Sequence, residues 1–273
     1  MSSNVASGQA LFAVNGGELV LNGSVGSDIV STQRLVVVSN GGKATINGGN
    51  YTTSSAGQVF SAVGEGSELI INDGVINSQE CGAMAFDGAT VHINGGTFNT
   101  VDNFAIGTNG TNGRGKNTIT IDNCVINANI TSNGYEAVGI YAANDDTIIV
   151  GPNVKINVVN GCGICQRAGQ LTVKSGTEIN VTTTKDADFT GRVGDAAGMM
   201  TQSGIIYDER ANYPGKPGMA LVVEDGVKIT AVKHSIEILS NEAEPNVQIG
   251  QGTYDPAYPE PTPDPEPEQE PAA

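Results

Sequence analysis

The chain has no tryptophan, and aromatic side chains fill only 5% of its 273 positions. A globule of that length is normally packed by larger residues, so this poverty points to an interior of small and β-branched side chains. Basic residues are scarce as well: 13 Lys and Arg stand against 29 Asp and Glu, for a net charge of −16. Nucleic acid and anionic membrane are therefore disfavoured as partners, because each would meet like charge. No stretch approaches the roughly 18 consecutive apolar residues of a membrane span, and no membrane insertion is expected. The opening residues MSSNVASGQALFAVNGG hold no basic region followed by an apolar core, so the expectation is a chain made in a cytoplasm without an export signal.

Metal-ligating residues are also few. Of the four cysteines, Cys81, Cys124, Cys162 and Cys165, only the last two are spaced as C-x2-C, and neither His92 nor His234 is placed to complete a zinc site. On a regular strand, residues three apart face opposite sides, which argues against a shared metal or a disulfide at that pair. Reduced, buried thiols are the expectation, with no metal and no cofactor.

What the chain has in abundance is a repeated phrase. "LVLNGSV" from Leu19 returns as "ATINGGNY" from Ala44, "LIINDGVI" from Leu69, "VHINGGTF" from Val91 and "ITIDNCVI" from Ile119, with four looser echoes after that. Aligned on the apolar residue before the turn, the phrases give Leu21, Ile46, Ile71, Ile93, Ile121, Val150, Val173, Val223 and Ile249. Steps run from 22 to 29 residues, except for one of 50. Each turn has a second apolar run about ten residues upstream, among them "LVVV" at Leu35, "VGIYA" at Val138, "GMM" at Gly198 and "IEIL" at Ile236. Nine pairs for nine turns make the long step one coil with an insert, placed at 203–218.

Short strands, turns and no helical period at this spacing predict an all-β chain, a right-handed parallel β-helix of about nine coils. Coils stacked about 4.8 Å apart would make a rod about 43 Å long. The 37 glycines suit corners that need positive φ. A leucine-rich repeat has a similar period, but its spaced leucines and Asn/Cys position are missing. Alternation along "VHINGGTF" puts Val91 and Ile93 inside and Asn94 at the corner. Asn22, Asn47, Asn72 and Asn94 should then stack as an amide ladder. Residues 1–7 read as a cap or anchor, 8–254 as the solenoid, and 255–273 as an extended tail. That tail holds six acidic residues, no Lys or Arg and seven of the eleven prolines, a composition that cannot form a packed core and favours disorder.

Candidate chemistry is thin. A glycoside hydrolase needs two carboxyl groups about 5 to 9.5 Å apart. The candidates are Asp145 and Asp146 in "AANDDT", which also reads as a plain turn, and Asp208 and Glu209 in the insert. Tyr207, Arg210, Tyr213 and Lys216 flank that second pair and could hold a sugar or a neighbouring protein, as loops on rigid scaffolds do. The threonines of "NYTTSS" and "VTTTKD" are scattered, which argues against a ranked threonine face.

Through "INGG", "INDG" and "IDNC" the pattern resembles the right-handed β-helix regions of bacteriophage fibres, tail spikes and head-decoration proteins, over nearly the whole chain. The lyase and polygalacturonase motifs of related folds are absent, apart from the isolated Asp145–Asp146 pair. The resemblance implies a non-enzymatic virion structural protein on the head or tail surface. It implies homotrimers, contact with capsid or tail proteins, and adhesion to host surface glycans. A tail-spike enzyme cleaving polysaccharide and a bacterial surface adhesin are the alternatives, and fold alone does not choose among them.

Overall fold

A computed structural model describes residues 2–3, 10–23, 28–54, 57–109, 111–129, 137–186, 191–193, 196–210 and 218–258. Among them there is no α-helix; the chain is a parallel β-solenoid. Its first face is a nine-stranded sheet whose strands follow chain order: Ala10–Asn15, Arg34–Ser39, Gln58–Val63, Cys81–Phe86, Phe104–Thr108, Ala137–Ala142, Gly161–Gln166, Ile205–Asp208 and Ile236–Leu239. The second and third faces form one 17-stranded sheet. In the fourth coil, for example, Thr90–Ile93 lies on the second face and Gly96–Val101 on the third. In the second and third coils a single strand, Lys43–Thr53 or Glu68–Ser78, runs through the corner between them.

Every residue before the turn sits on its counterpart. Leu21 pairs with Ile46, Ile46 with Ile71, Ile71 with Ile93, Ile93 with Ile121, and so on through Val150, Val173 and Val223 to Ile249. These eight steps join nine coils. A slip of one residue would turn each Ile or Val of this column outward and a polar neighbour inward, so the apolar pattern fixes the register. The third face contributes a matching inward column, Ile29, Tyr51, Ile76, Phe98, Ile126, Ile156, Ile179, Ile229 and Tyr254. Near its ends Tyr51 and Tyr254 donate their hydroxyls to the corner carbonyls of Gly48 and Gly250.

Opposite that column the first face bends, turning two consecutive residues inward. The leading member is Gly82, Gly139, Gly163 or Gly204, and the reason is space. A Cβ on Gly163 would lie 2.3 Å from Cγ2 of Ile179 and 2.5 Å from the carbonyl oxygen of Gly204. Large third-face side chains thus pack against bare backbone, and the rod stays thin.

Three expectations need correction. The "GMM" run does not begin the eighth coil; Ile205–Asp208 does, pairing with Gly161–Gln166 below and Ile236–Leu239 above. Part of the insert assigned to 203–218 is therefore wall, and an excursion lies upstream as an antiparallel pair, Gly191–Val193 with Ala196–Met200. The rod also runs further than residue 254. Thr253–Asp255 is a paired strand, the Asp255 carbonyl accepts from Ala231 N–H, and Tyr258 packs on the core with its ring centroid 6.5 Å from that of Tyr254. Of the proposed cap, Ser2–Ser3 pairs with the third-face strand Asp28–Ser31. The rest of the cap and residues 259–273 lie outside the described residues.

Gly163→Ala should cost about 2 kcal/mol in urea unfolding, since its new methyl meets backbone that cannot yield. Gly17→Ala, with nothing within 4 Å of its Cβ, should change stability by less than about 0.5 kcal/mol. Deleting 259–273 should leave Tm unchanged, and deleting 255–273 should lower it by removing Tyr258 and the last strand residue.

Candidate functional site

Because Ile205–Asp208 is wall, its side chains alternate between core and exterior. Tyr207 points inward and is fully buried in the main core. Its hydroxyl donates to Glu209, whose other carboxylate oxygen accepts from Ser240. Burial, reinforced by the neighbouring Glu209 charge, pushes the Tyr207 phenol far above its ordinary value, so it is a fixed donor. Asp208 faces the other way. Only 2% of its side chain is exposed, its Oδ1 accepts from Arg210 Nε at 3.0 Å, and Arg167 of the coil below brings its Nε to 3.9 Å from Oδ2. The two candidate carboxylates, Asp208 and Glu209, point to different sides, and both are engaged internally. Of the flanking residues, Arg210 is exposed and closes over Asp208, while Tyr213 and Lys216 lie outside the described residues.

Asp145 and Asp146 occupy the corner between the first and second faces. Asp145 is exposed, whereas Asp146 is buried and its Oδ1 accepts from the Asn117 backbone at 2.9 Å and side chain at 2.7 Å. Asn117 in turn accepts from the backbone of Gly88 and Ala89. The stack Ala89, Asn117, Asp146 ties three coils together. Burial raises the Asp146 carboxyl above its usual range, against the pull of its Asn117 and Thr108 hydrogen bonds.

At the next corner Asn47 donates to Asn22, Asn72 to Asn47 and Asn94 to Asn72, at 2.7 to 2.8 Å. A longer amide ladder, missed in the sequence, runs up the outer third face: Asn180 to Asn157 to Asn127 to Asn99 to Asn77, at 2.9 to 3.3 Å. Its signal was present in the recurring "VIN", "FN", "VIN", "KIN" and "EIN". The threonines also differ from expectation. Thr90, Thr118 and Thr147 lie directly above one another on the outer second face, a rank hidden by unequal coil lengths.

All four cysteines are buried and outside any disulfide. Desolvation raises the Cys81 thiol and pushes Cys124 up to about 12, so neither is a reactive thiolate. Cys162 and Cys165 do not face opposite sides. The inward bend at Gly163 and Ile164 puts both in one outer apolar cluster with Tyr141 and Ile206. Among the described residues no group of three His, Cys, Asp or Glu could hold a metal ion, and no helix is long and apolar enough to cross a membrane.

The class the fold defines is the parallel β-solenoid. Neither the family models, nor the curated proteins, nor the solved structures gave a match to this chain.

The raised Asp146 carboxyl has a pH consequence. The folded chain holds that proton more tightly than the unfolded chain, so the group favours folding below its unfolded value near 3.8 and opposes it as pH rises through the folded value. Asp146→Asn keeps the Oδ1 acceptor and removes the titration. Urea unfolding should show its stability gaining on the unsubstituted chain between pH 4 and pH 7.

Proposed function

We propose that this chain is a non-enzymatic structural rod of a phage virion, a fibre or decoration on the head or tail, made in the host cytoplasm. In that reading it assembles with copies of itself, as a homotrimer, and with capsid or tail proteins, and it adheres to host surface glycans. The observation that carries the non-enzymatic part is the fate of the carboxylates. Asp146 and Glu209 each accept a bond from a neighbouring coil, and Asp208 is enclosed by Arg210 of its own coil and Arg167 of the coil below, inside a column of eight paired steps. A site that must bind and turn over substrate needs such groups open to it. The virion assignment rests on the resemblance of the repeat to phage fibres and decorations.

Two measurements test this. Asp208→Asn removes a buried carboxylate charge that faces Arg167 at 3.9 Å and Arg210 at 3.0 Å, so it should lower stability by about 3 kcal/mol with no polysaccharide cleavage to lose. An enzyme would keep its fold and lose cleavage. Antibody labelling of purified particles in electron micrographs should place the chain on the virion exterior; its absence from particles would overturn the assignment.

A further inference from the structure

The corner between the first and second faces holds an open cleft over coils three to five, about 500 Å³ in volume, lined by Glu65, Asp87, Gly88, Gly113, Gly115 and Lys116. That size lies within the range of small-ligand sites, about 300 to 1,000 Å³. Three features of its walls have no structural use. Lys116 sits at φ 63, and the other six described non-glycine residues with positive φ are all Asn or Asp. Its backbone is pinned by a 2.5 Å bond from its N–H to the Asp145 carbonyl. A long side chain in the left-handed region is strained, and glycine would relieve it. Yet the Lys116 ammonium, like the Glu65 carboxylate, has no ion-pair or hydrogen-bond partner among the described residues. Asp87 is half used: Arg114, stacked 4.8 Å over the Phe86 ring, pairs with Oδ2, while Oδ1 is buried without a partner.

The charges decide what the cleft takes. Arg114, outside the lining, neutralises Asp87, and Glu65 and Lys116 balance each other, so neither an anion nor a cation meets a net opposite charge. A neutral polyol gains from both signs, because each hydroxyl donates to a carboxylate oxygen and accepts from an ammonium. No aromatic ring lines the cleft, which keeps single-site affinity low; several copies on one particle would raise it. We propose that this cleft binds a terminal sugar of a neutral glycan. The inference rests on the adhesive part of the proposed function and names its site.

The test uses the full chain on an array of neutral hexose and N-acetylhexosamine oligosaccharides, with sialylated and sulfated counterparts. Lys116→Gly and Glu65→Gln should each weaken neutral-glycan binding tenfold or more. Thermal melting separates binding from folding: Lys116→Gly should melt no lower than the unsubstituted chain, because it relieves the left-handed backbone. Neutral glycans bound equally by the unsubstituted chain and both variants would overturn the cleft and leave adhesion to another surface. Binding confined to the charged glycans would overturn the ligand class. No binding to any glycan would overturn both the cleft and the adhesive role, leaving particle location to judge the rod.

Discussion

Hydrogen bonding between successive coils, parallel and in register, is the constraint on which the rest depends. Wall strands of one coil have no partner within that coil, so their ladder groups are satisfied only by the coil below and the coil above. Once that pairing is set, each residue lies on its counterpart, and any residue type that tolerates its own likeness at about 4.8 Å can form a column. Isoleucine does so inside, asparagine at the corner and on the outer third face, and threonine on the outer second face.

The same constraint explains why acidic residues are common without making an active site. Corners need residues whose side chains cap backbone N–H groups, and Asn and Asp serve best. Asp146 and Asn117 are spent this way, as are Asp225, which accepts from the Gln251 N–H, and Asp73, which accepts from the Gly74 N–H. Lys116 departs from the pattern. It occupies a conformation that the described residues otherwise give to Gly, Asn or Asp, and the cleft beside it holds unspent polar groups.

Much of the fold was legible because its signals are local. Alternation in "VHINGG" and the turn that follows it locate the second-face strands, and the column from Leu21 to Ile249 can be written from spacing alone. The excursion could not be located this way, since "GMM" and "IIYD" are equally apolar and only pairing tells wall from excursion. The side faced by Cys165 was hidden because the strand bends at Gly163, and that bend exists to admit Ile179 from a face 16 residues further along the chain. Long-range packing of this kind leaves no local trace. The cleft was invisible for a similar reason: Glu65, Asp87 and Lys116 come from three different coils, and the strain at Lys116 is a property of the folded backbone.

The direction of the inter-coil bonds also sets how the rod carries load. They run along its length, so a pull on the two ends loads the interfaces in series, and the weakest opens first. Force applied across the rod is instead borne by the covalent backbone of each coil and by its packed interior. The molecule is therefore soft to peeling from an end and stiff against a sideways blow, so a partner that must hold it under tension does best to grip several coils along one flank.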